Sequence, residues 1–239
     1  MTVTEFGVTK GSGESFTPEF RSAVEAALAS QTKWLKIDPA ATGANPTTGS
    51  RAWLLQQIED PASVLLAATW TTVDQHTEWA TTDPDRDTLL PAIGKHLYQP
   101  KGDDDPAKPV ILVHTEGDVF TNAGEPIPEG KRALLDSPVI SVTRMYVTAG
   151  KKAEFEKALN DTKGLIEGYT SPNIVRGAWR VDKEKDAATG EDKEEYVLVA
   201  GWESREAHYA IADTDIGPKL AAFTSLLDGR DSKHYKRLL

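Results

Sequence analysis

The feature that most constrains this chain is an internal repeat, in which two stretches of the first half match two stretches of the second half. Residues 3–11 align without gaps on residues 142–150, with five identities in nine positions. Residues 64–83 align on residues 196–215, with seven identities in twenty. Because duplicated sequence indicates duplicated structure, the chain is predicted to hold two similar units.

The second matched window carries the most informative residues. Each half has a tryptophan, Trp70 or Trp202, which is followed six residues later by a histidine, His76 or His208. Between the two windows, Ala52-Trp53 pairs with Ala178-Trp179. The offset between matched residues of the two halves therefore changes from 139 to 126 to 132 along the chain. Insertions therefore fall between the matched segments, and we interpret them as loops; one of them includes the charged run Asp182 to Glu195.

A segment rich in glycine and proline separates the two matched halves, and such a composition is typical of a connection. These residues are Gly124, Pro126, Pro128 and Gly130. We therefore predict a first unit at residues 1–116, a connection at 117–137 and a second unit at 138–239.

Hydrophobic periodicity predicts the same order of elements in both halves: strand, helix, strand, strand, helix and a final strand. The elements predicted in the first half are a strand from Val3, a helix over Pro18 to Leu35, strands over Arg51 to Glu59 and Val64 to Trp70, a helix capped by Thr72, and a strand over Val110 to Thr115. Those predicted in the second half are a strand over Val142 to Val147, a helix over Lys151 to Glu167, strands over Ile174 to Asp182 and Tyr196 to Trp202, a helix capped by Ser204, and a strand over Ser232 to Leu239. This order predicts the α+β class.

The aligned first strands place polar residues on one face. Glu5 lies on the face opposite Phe6, and the alignment puts Arg144 and Tyr146 on the same face as Glu5. Side chains on this face are expected either to line an interior cavity or to meet solvent. A salt bridge between Glu5 and Arg144 is the alternative to a role in binding.

Composition excludes several classes of function. With 27 basic and 37 acidic side chains, the net charge of −10 disfavours nucleic acid and anionic membranes as partners. The absence of cysteine excludes disulfides, thiolate metal sites and cysteine nucleophiles. No apolar run approaches the roughly 20 residues that span a bilayer, and Met1 to Glu5 lack the pattern of a signal peptide. The cytoplasm is therefore the expected location.

The segment Trp202-Glu203-Ser204-Arg205-Glu206-Ala207-His208, a strand-end tryptophan followed by a capped helix, resembles the dimeric α+β barrel superfamily. More narrowly, the two halves resemble antibiotic-biosynthesis-monooxygenase (ABM) domains fused in tandem, as in some fungal proteins. The resemblance implies two ferredoxin-like halves with antiparallel sheets, which form a barrel-like pseudo-dimer around a pocket. Members of this superfamily include cofactor-independent oxygenases of aromatic polyketides, haem-degrading enzymes, cyclases and lyases.

Many ABM members carry a histidine further along the helix that follows the tryptophan, where this chain has Trp79 and Ile211. No catalytic residue of the family is therefore transferred to this chain. The histidines that recur in both halves, His76 and His208, are instead the candidate general acids or bases, because imidazole exchanges protons near neutral pH. The alternative is that each histidine fastens its helix to the sheet.

The remaining candidate site residues surround these histidines or lie on the first strands. Tyr146 and Arg144 are candidates to hold an oxyanion. The candidate substrate-binding residues are Glu5, His114, Trp70 and Trp202. No histidine pair has metal-ligand spacing, so neither a metal nor a cofactor is predicted.

Taken together, these observations predict a metal-free enzyme of secondary metabolism that acts on a small apolar, aromatic or polyketide-like molecule. Deprotonation would lead to oxygenation, cyclisation or elimination. A non-catalytic binding protein and a stress-related structural protein of the same fold are the alternatives. The chain is expected to be a monomeric pseudo-dimer or a homodimer.

Overall fold

The computed structural model describes residues 3–11, 17–38, 44–45, 48–99, 110–121, 126–186 and 190–239, which leaves Gly124 of the predicted connection outside the described residues. The described residues divide into two compact units. The first unit runs to Gly117 and includes the C-terminal residues Lys236–Leu239. The second unit holds the other described residues, from Asp118 to Tyr235.

The first unit combines an antiparallel sheet with three helices. Its elements are β1 (Val3–Lys10), α1 (Pro18–Trp34), β2 (Ala52–Gln57), β3 (Ser63–Trp70), α2 (Val73–Thr82), α3 (Arg86–Gly94) and β4 (Val110–Glu116). The helix α1 begins where Thr17 accepts a hydrogen bond from the backbone N–H of Phe20 and Pro18 occupies the first turn. The strand order is β4-β1-β3-β2, which is the ferredoxin-like order.

The second unit repeats this arrangement. Its elements are β5 (Val139–Val147), α4 (Lys152–Tyr169), β6 (Val175–Trp179), β7 (Glu194–Trp202), α5 (Arg205–Ala210), a short 3₁₀ helix (Ile211–Asp213), α6 (Gly217–Thr224) and β8 (Leu227–Arg237). The strand order is β8-β5-β7-β6, and all pairs are antiparallel. The predicted α+β class with two ferredoxin-like halves is therefore confirmed.

The single helix predicted after each tryptophan is wrong, because each unit has two shorter α-helices there, which in the second unit are separated by the 3₁₀ helix. In the first unit Asp83 has an extended ψ of 123° and ends α2, since a residue that precedes a proline, here Pro84, disfavours the helical conformation. In the second unit Thr214 is extended as well. At Gly217 a side chain would clash with the carbonyl of Ala212, so only glycine lets α6 begin this close to the 3₁₀ helix.

Each sheet is buried on the face that the helices cover. In the first unit this core consists of Phe20, Val24, Leu28, Ala52, Leu54, Val64, Ala68, Trp70 and Leu239. In the second unit it consists of Met145, Val147, Phe155, Leu159, Tyr196 and Phe223. The opposite face of the first sheet is buried too: Phe6, Leu65 and Val113 have no exposed surface.

Tyr196, in the core of the second unit, should make the stability of the protein fall at alkaline pH. Burial, and then the nearby carboxylate of Glu156, raise the pKa of Tyr196 to about 12. Since the unfolded chain loses this proton near pH 10, the unfolding free energy should fall as the pH rises from about 10 to 12. Denaturant titrations over this range should show a smaller fall for Tyr196→Phe, and an equal fall in both proteins would contradict the assignment.

The pairing of the first strands corrects the sequence alignment by three residues. Val3 lies opposite Trp70 in the β1–β3 pair, and Val139 lies opposite Trp202 in the β5–β7 pair. The structural offset between β1 and β5 is therefore 136 residues, whereas the alignment of residues 3–11 with 142–150 assumed 139.

This shift moves side chains to the other face of the strand. Glu5 corresponds to Ser141, and both lie opposite an alanine of the neighbouring strand on the helix-covered face. Arg144 alternates with Met145, a residue of the helix-covered core, and therefore lies on the other face. The expectation that Glu5 and Arg144 occupy the same face is wrong.

Candidate functional site

A pair of histidines joins α5 to the sheet of the second unit. Ser204 caps α5 by accepting a hydrogen bond from the N–H of Ala207 at 3.1 Å, which fixes the start of the helix. One turn later, Nδ1 of His208 lies 2.7 Å from Nε2 of His234 on β8. Because His234 is 0% exposed and one of the two nitrogens donates to the other, this bond fixes the orientation of the His208 ring.

The tryptophan at the end of β7, Trp202, packs against one face of the same histidine. The rings of Trp202 and His208 are stacked, with centroids 4.3 Å apart and an interplanar angle of 20°. The indole N–H of Trp202 in turn donates a 2.8 Å hydrogen bond to Oγ of Ser141 on β5. His208 is therefore held by a hydrogen bond on one edge and by an aromatic ring on one face.

A cavity of about 440 Å³ lies beside His208, between the sheet of the second unit and its helices. Its sheet side includes Met145, Leu198 and Trp202, and its helix side includes Ile211 and Phe223. The volume falls within the roughly 300 to 1,000 Å³ that is typical of small-molecule sites, and such sites are mostly apolar with few polar groups.

The polar groups of this pocket are few and come mainly from β5 and β8. Ser141 lines it next to the stacked rings, and Thr143 and Ser232 share a 2.8 Å hydrogen bond across β5 and β8. Arg230 also lines the pocket, and within the described part of the chain it forms no ion pair. A ligand here would meet an apolar wall, hydroxyl groups, one guanidinium and one imidazole.

The first unit contains the corresponding histidine pair in a different setting. Nδ1 of His76 on α2 lies 2.9 Å from Nε2 of His114 on β4. Where the second unit has Ser141, the first has Glu5, whose carboxylate accepts a 2.7 Å hydrogen bond from the indole of Trp70. The same carboxylate lies 3.3 Å from Nε2 of His76. The first unit thus adds a buried acidic group to the pair.

The first unit also carries a bulkier residue beside its histidine. At the position of Ile211 it has Trp79, whose ring lies 5.5 Å from that of Trp70 and 6.2 Å from that of His76. The indole N–H of Trp79 is anchored to Asp83 at 2.7 Å. Burial, with the neighbouring ring of His114, lowers the pKa of His76 to about 4, so this imidazole is neutral at pH 7.

The structure separates Arg144 and Tyr146 from the apolar pocket. The guanidinium of Arg144 binds the carboxylate of Glu195 through Nε and through Nη2, the latter at 3.0 Å, and Glu195 also binds Arg180 at 2.9 Å. Arg144 thus has Glu195 as its partner, where the sequence offered a salt bridge with Glu5 as the alternative. Tyr146 lines another cavity of about 640 Å³, whose walls include the carboxylates of Asp186, Asp192 and Asp228.

The predicted site residues thus fall into three groups. His208 and Trp202 belong to the apolar pocket of the second unit. Glu5, Trp70, His76 and His114 form one buried cluster in the first unit, and Arg144 and Tyr146 lie together elsewhere. Sequence reasoning missed His234, Ser141 and Arg230. His234 could have been found from the sequence, because it lies on β8, which is the strand of the second unit that corresponds to β4 with His114.

Comparison with solved structures shows similarity over the whole chain. An anthrone oxidase-like protein is 14% identical with a TM-score of 0.57, and the match covers 100% of this chain and 92% of that one. A candidate monooxygenase from Lactobacillus acidophilus is 10% identical with a TM-score of 0.55, covering 99% and 93%. Another, from Fusobacterium nucleatum, is 8% identical with a TM-score of 0.57, covering 100% and 93%. No protein-family model and no curated protein sequence matches this chain.

At these identities the similarity defines the fold. Within the described segments, none of the helices is both long and apolar enough to cross a bilayer. The chain therefore shares the α+β fold of these solved structures over its whole length.

Proposed function

We propose that this chain is a cofactor-independent oxygenase of the ABM kind, which binds a small, flat aromatic molecule in the pocket of the second unit. The observation that carries the proposal is the position of His208. Its imidazole lines an apolar cavity of about 440 Å³ while Nδ1 is held by His234. A fixed imidazole beside an apolar cavity is the arrangement that proton abstraction from an aromatic substrate needs.

The lining of the pocket favours a substrate with one oxygen that gains negative charge. The walls contributed by Leu198, Trp202 and Phe223 suit an aromatic ring system. Arg230 and the hydroxyl of Ser141 lie on the same lining and can stabilise a developing phenolate or enolate. In this assignment they take the role that the sequence suggested for Arg144 and Tyr146.

Anthrone illustrates the proposed reaction, and one of the similar structures is an anthrone oxidase-like protein. His208 removes a proton from the methylene carbon, and the resulting carbanion transfers electrons to dioxygen to form a carbon–oxygen bond. The protonated histidine returns its proton to the peroxide, and loss of water then leaves a carbonyl. One anthrone and one dioxygen give one anthraquinone and one water, so that dioxygen is the only oxidant needed.

The direct test is oxygen uptake by the full chain with anthrone as the probe. We expect oxygen consumption above the uncatalysed rate and one quinone formed per dioxygen consumed. A probe that binds in the pocket but is recovered unchanged, with no oxygen consumed, would favour the non-catalytic binding protein instead.

Filling the pocket should abolish binding without unfolding the protein. Ile211→Trp copies Trp79 of the first unit and places an indole in the cavity beside His208. We expect anthrone affinity, measured by quenching of tryptophan fluorescence, to fall at least about 100-fold, because the space for the ligand is taken. The cavity leaves room for the larger side chain, so the unfolding free energy should fall by no more than the about 1 to 3 kcal/mol that added volume in a core typically costs.

Asp213→Asn is the matched control, since Asp213 lies in the same 3₁₀ helix but is exposed and does not line the pocket. It should bind anthrone like the unaltered protein. Undiminished binding by Ile211→Trp would place the ligand site outside this pocket.

The two units are best explained as a tandem duplication whose copies have diverged beside the histidine. The matched strand orders and the matched pairs of tryptophan and histidine support this origin. The replacement of Ile211 by Trp79, and of Ser141 by Glu5, supports a different role for the first unit.

A further inference from the structure

Three potential metal ligands converge in the first unit, away from the proposed substrate pocket. Glu5, His76 and His114 each offer one donor atom, and these atoms lie within 4.8 Å of one another. They come from three separate elements, β1, α2 and β4. A compact set of one carboxylate and two imidazoles is a donor set that divalent transition metals accept.

The fold brings these side chains together by strand register and helix capping. Glu5 and His114 are directly opposite each other in the β1–β4 pair. Thr72 caps α2 by accepting the N–H of Gln75 at 3.1 Å, which places His76 one turn into the helix. Glu5 is 9% exposed and His114 is 4% exposed, so bulk water hardly reaches the cluster.

The buried carboxylate of Glu5 distinguishes this cluster from its counterpart in the second unit. A buried negative charge is costly unless a positive charge or strong donors offset it. The indole N–H of Trp70 supplies one donor to Glu5 at 2.7 Å, and it also orients the carboxylate as an outer-shell partner would. In the second unit Ser141 stands in the place of Glu5 and accepts the equivalent indole bond through its hydroxyl.

We propose that Glu5, His76 and His114 bind one divalent transition-metal ion of the zinc type. Each residue contributes one donor atom, and these atoms already lie within 4.8 Å of one another. Water completes the coordination. The bound ion ties α2 to β1 and β4 and thereby stabilises the first unit.

Zinc binding by the full chain tests this site independently of any enzymatic activity. Protein stripped with EDTA is equilibrated with ZnCl₂, desalted and analysed by elemental mass spectrometry together with thermal unfolding. We expect one zinc per chain and a higher melting temperature with zinc. CoCl₂ should give visible absorption bands of low-symmetry cobalt with the same stoichiometry.

Three variants locate the ion. Glu5→Ser copies the arrangement of the second unit, and His114→Gln removes an imidazole; each should weaken zinc binding by more than about 100-fold, beyond what the loss of an outer-shell partner causes. His234→Gln alters the histidine pair of the second unit, where Ser141 replaces Glu5, and should leave the zinc stoichiometry at one. Circular dichroism confirms that each variant is folded.

Absence of retained zinc in the unaltered protein, with no change in its melting temperature, would overturn the proposal. The proposal would also be overturned if Glu5→Ser and His114→Gln, both folded, bound zinc as tightly as the unaltered chain. The ion would then lie elsewhere. Zinc lost on His234→Gln but kept on His114→Gln would place the site in the second unit and would equally overturn it.

Discussion

The variant His208→Ala should remain folded, and its turnover rate should be about 10²- to 10⁴-fold lower than that of the unaltered protein. This range is what a general acid or base typically contributes, and His208 is the imidazole that lines the apolar pocket. Affinity for the substrate should change little, because the walls of the pocket are retained. Steady-state oxygen uptake, which separates kcat from KM, is the measurement.

Two further variants distinguish catalysis from a structural role. His234→Gln should lower kcat by about 10- to 100-fold at nearly constant KM, because His234 positions the ring of His208 rather than touching the substrate. Lys219→Gln, an exposed change on α6 that is not part of the pocket lining, should behave like the unaltered protein. A His208→Ala protein with full turnover would remove this residue from the mechanism.

Replacing Glu195 by alanine should destabilise the second unit by about 3 to 5 kcal/mol. Glu195 is 3% exposed and joins the guanidinium groups of Arg144 and Arg180. Its removal leaves buried positive charge without the partner that offsets it, which is the costly way to break a buried ion pair. Equilibrium denaturation, followed by circular dichroism, measures the loss.

Glu195→Gln is the matched variant, because it keeps the shape and hydrogen-bonding oxygen but removes the charge. It should lose less stability than Glu195→Ala. A loss under about 1 kcal/mol for Glu195→Ala would show that the two arginines find other partners at little cost, as exposed ion pairs do.

The repeat in the sequence was sufficient to predict the fold, because its matched positions lie on strands and helix starts. Trp70 and Trp202 end equivalent strands, and each is followed by a capped helix that carries a histidine. These are local features that periodicity and capping residues encode directly. The positions of residues that lie a fixed number of residues after a strand end were therefore predicted correctly.

Strand register could not be predicted in the same way. The identities between residues 3–11 and 142–150 are mostly valine and threonine, which are common in any strand. Register depends on cross-strand pairing, and an odd shift reverses the faces. Arg144 was therefore aligned with Glu5, which lies on the other face of its own sheet, and its partner Glu195 was placed in a loop, although β7 already begins at Glu194.

The pocket itself also lay beyond sequence reasoning. Whether the space beside each histidine is filled depends on one side chain, Trp79 or Ile211, and on how closely α6 approaches through Gly217. The sequence showed that the two positions differ but did not indicate that a cavity lies beside His208. The partner of His208 on β8 was missed although His234 lies within the predicted strand Ser232 to Leu239, because the sequence does not show which side chains of a strand and a helix meet.

The central claim, that the second unit holds the working pocket, is tested most directly by a crystal structure of the chain soaked with the aromatic probe. We predict electron density for one molecule between the sheet and α6 of the second unit, within hydrogen-bonding distance of His208. Density in the first unit, or in the acidic cavity beside Tyr146 with the apolar pocket unoccupied, would contradict the assignment.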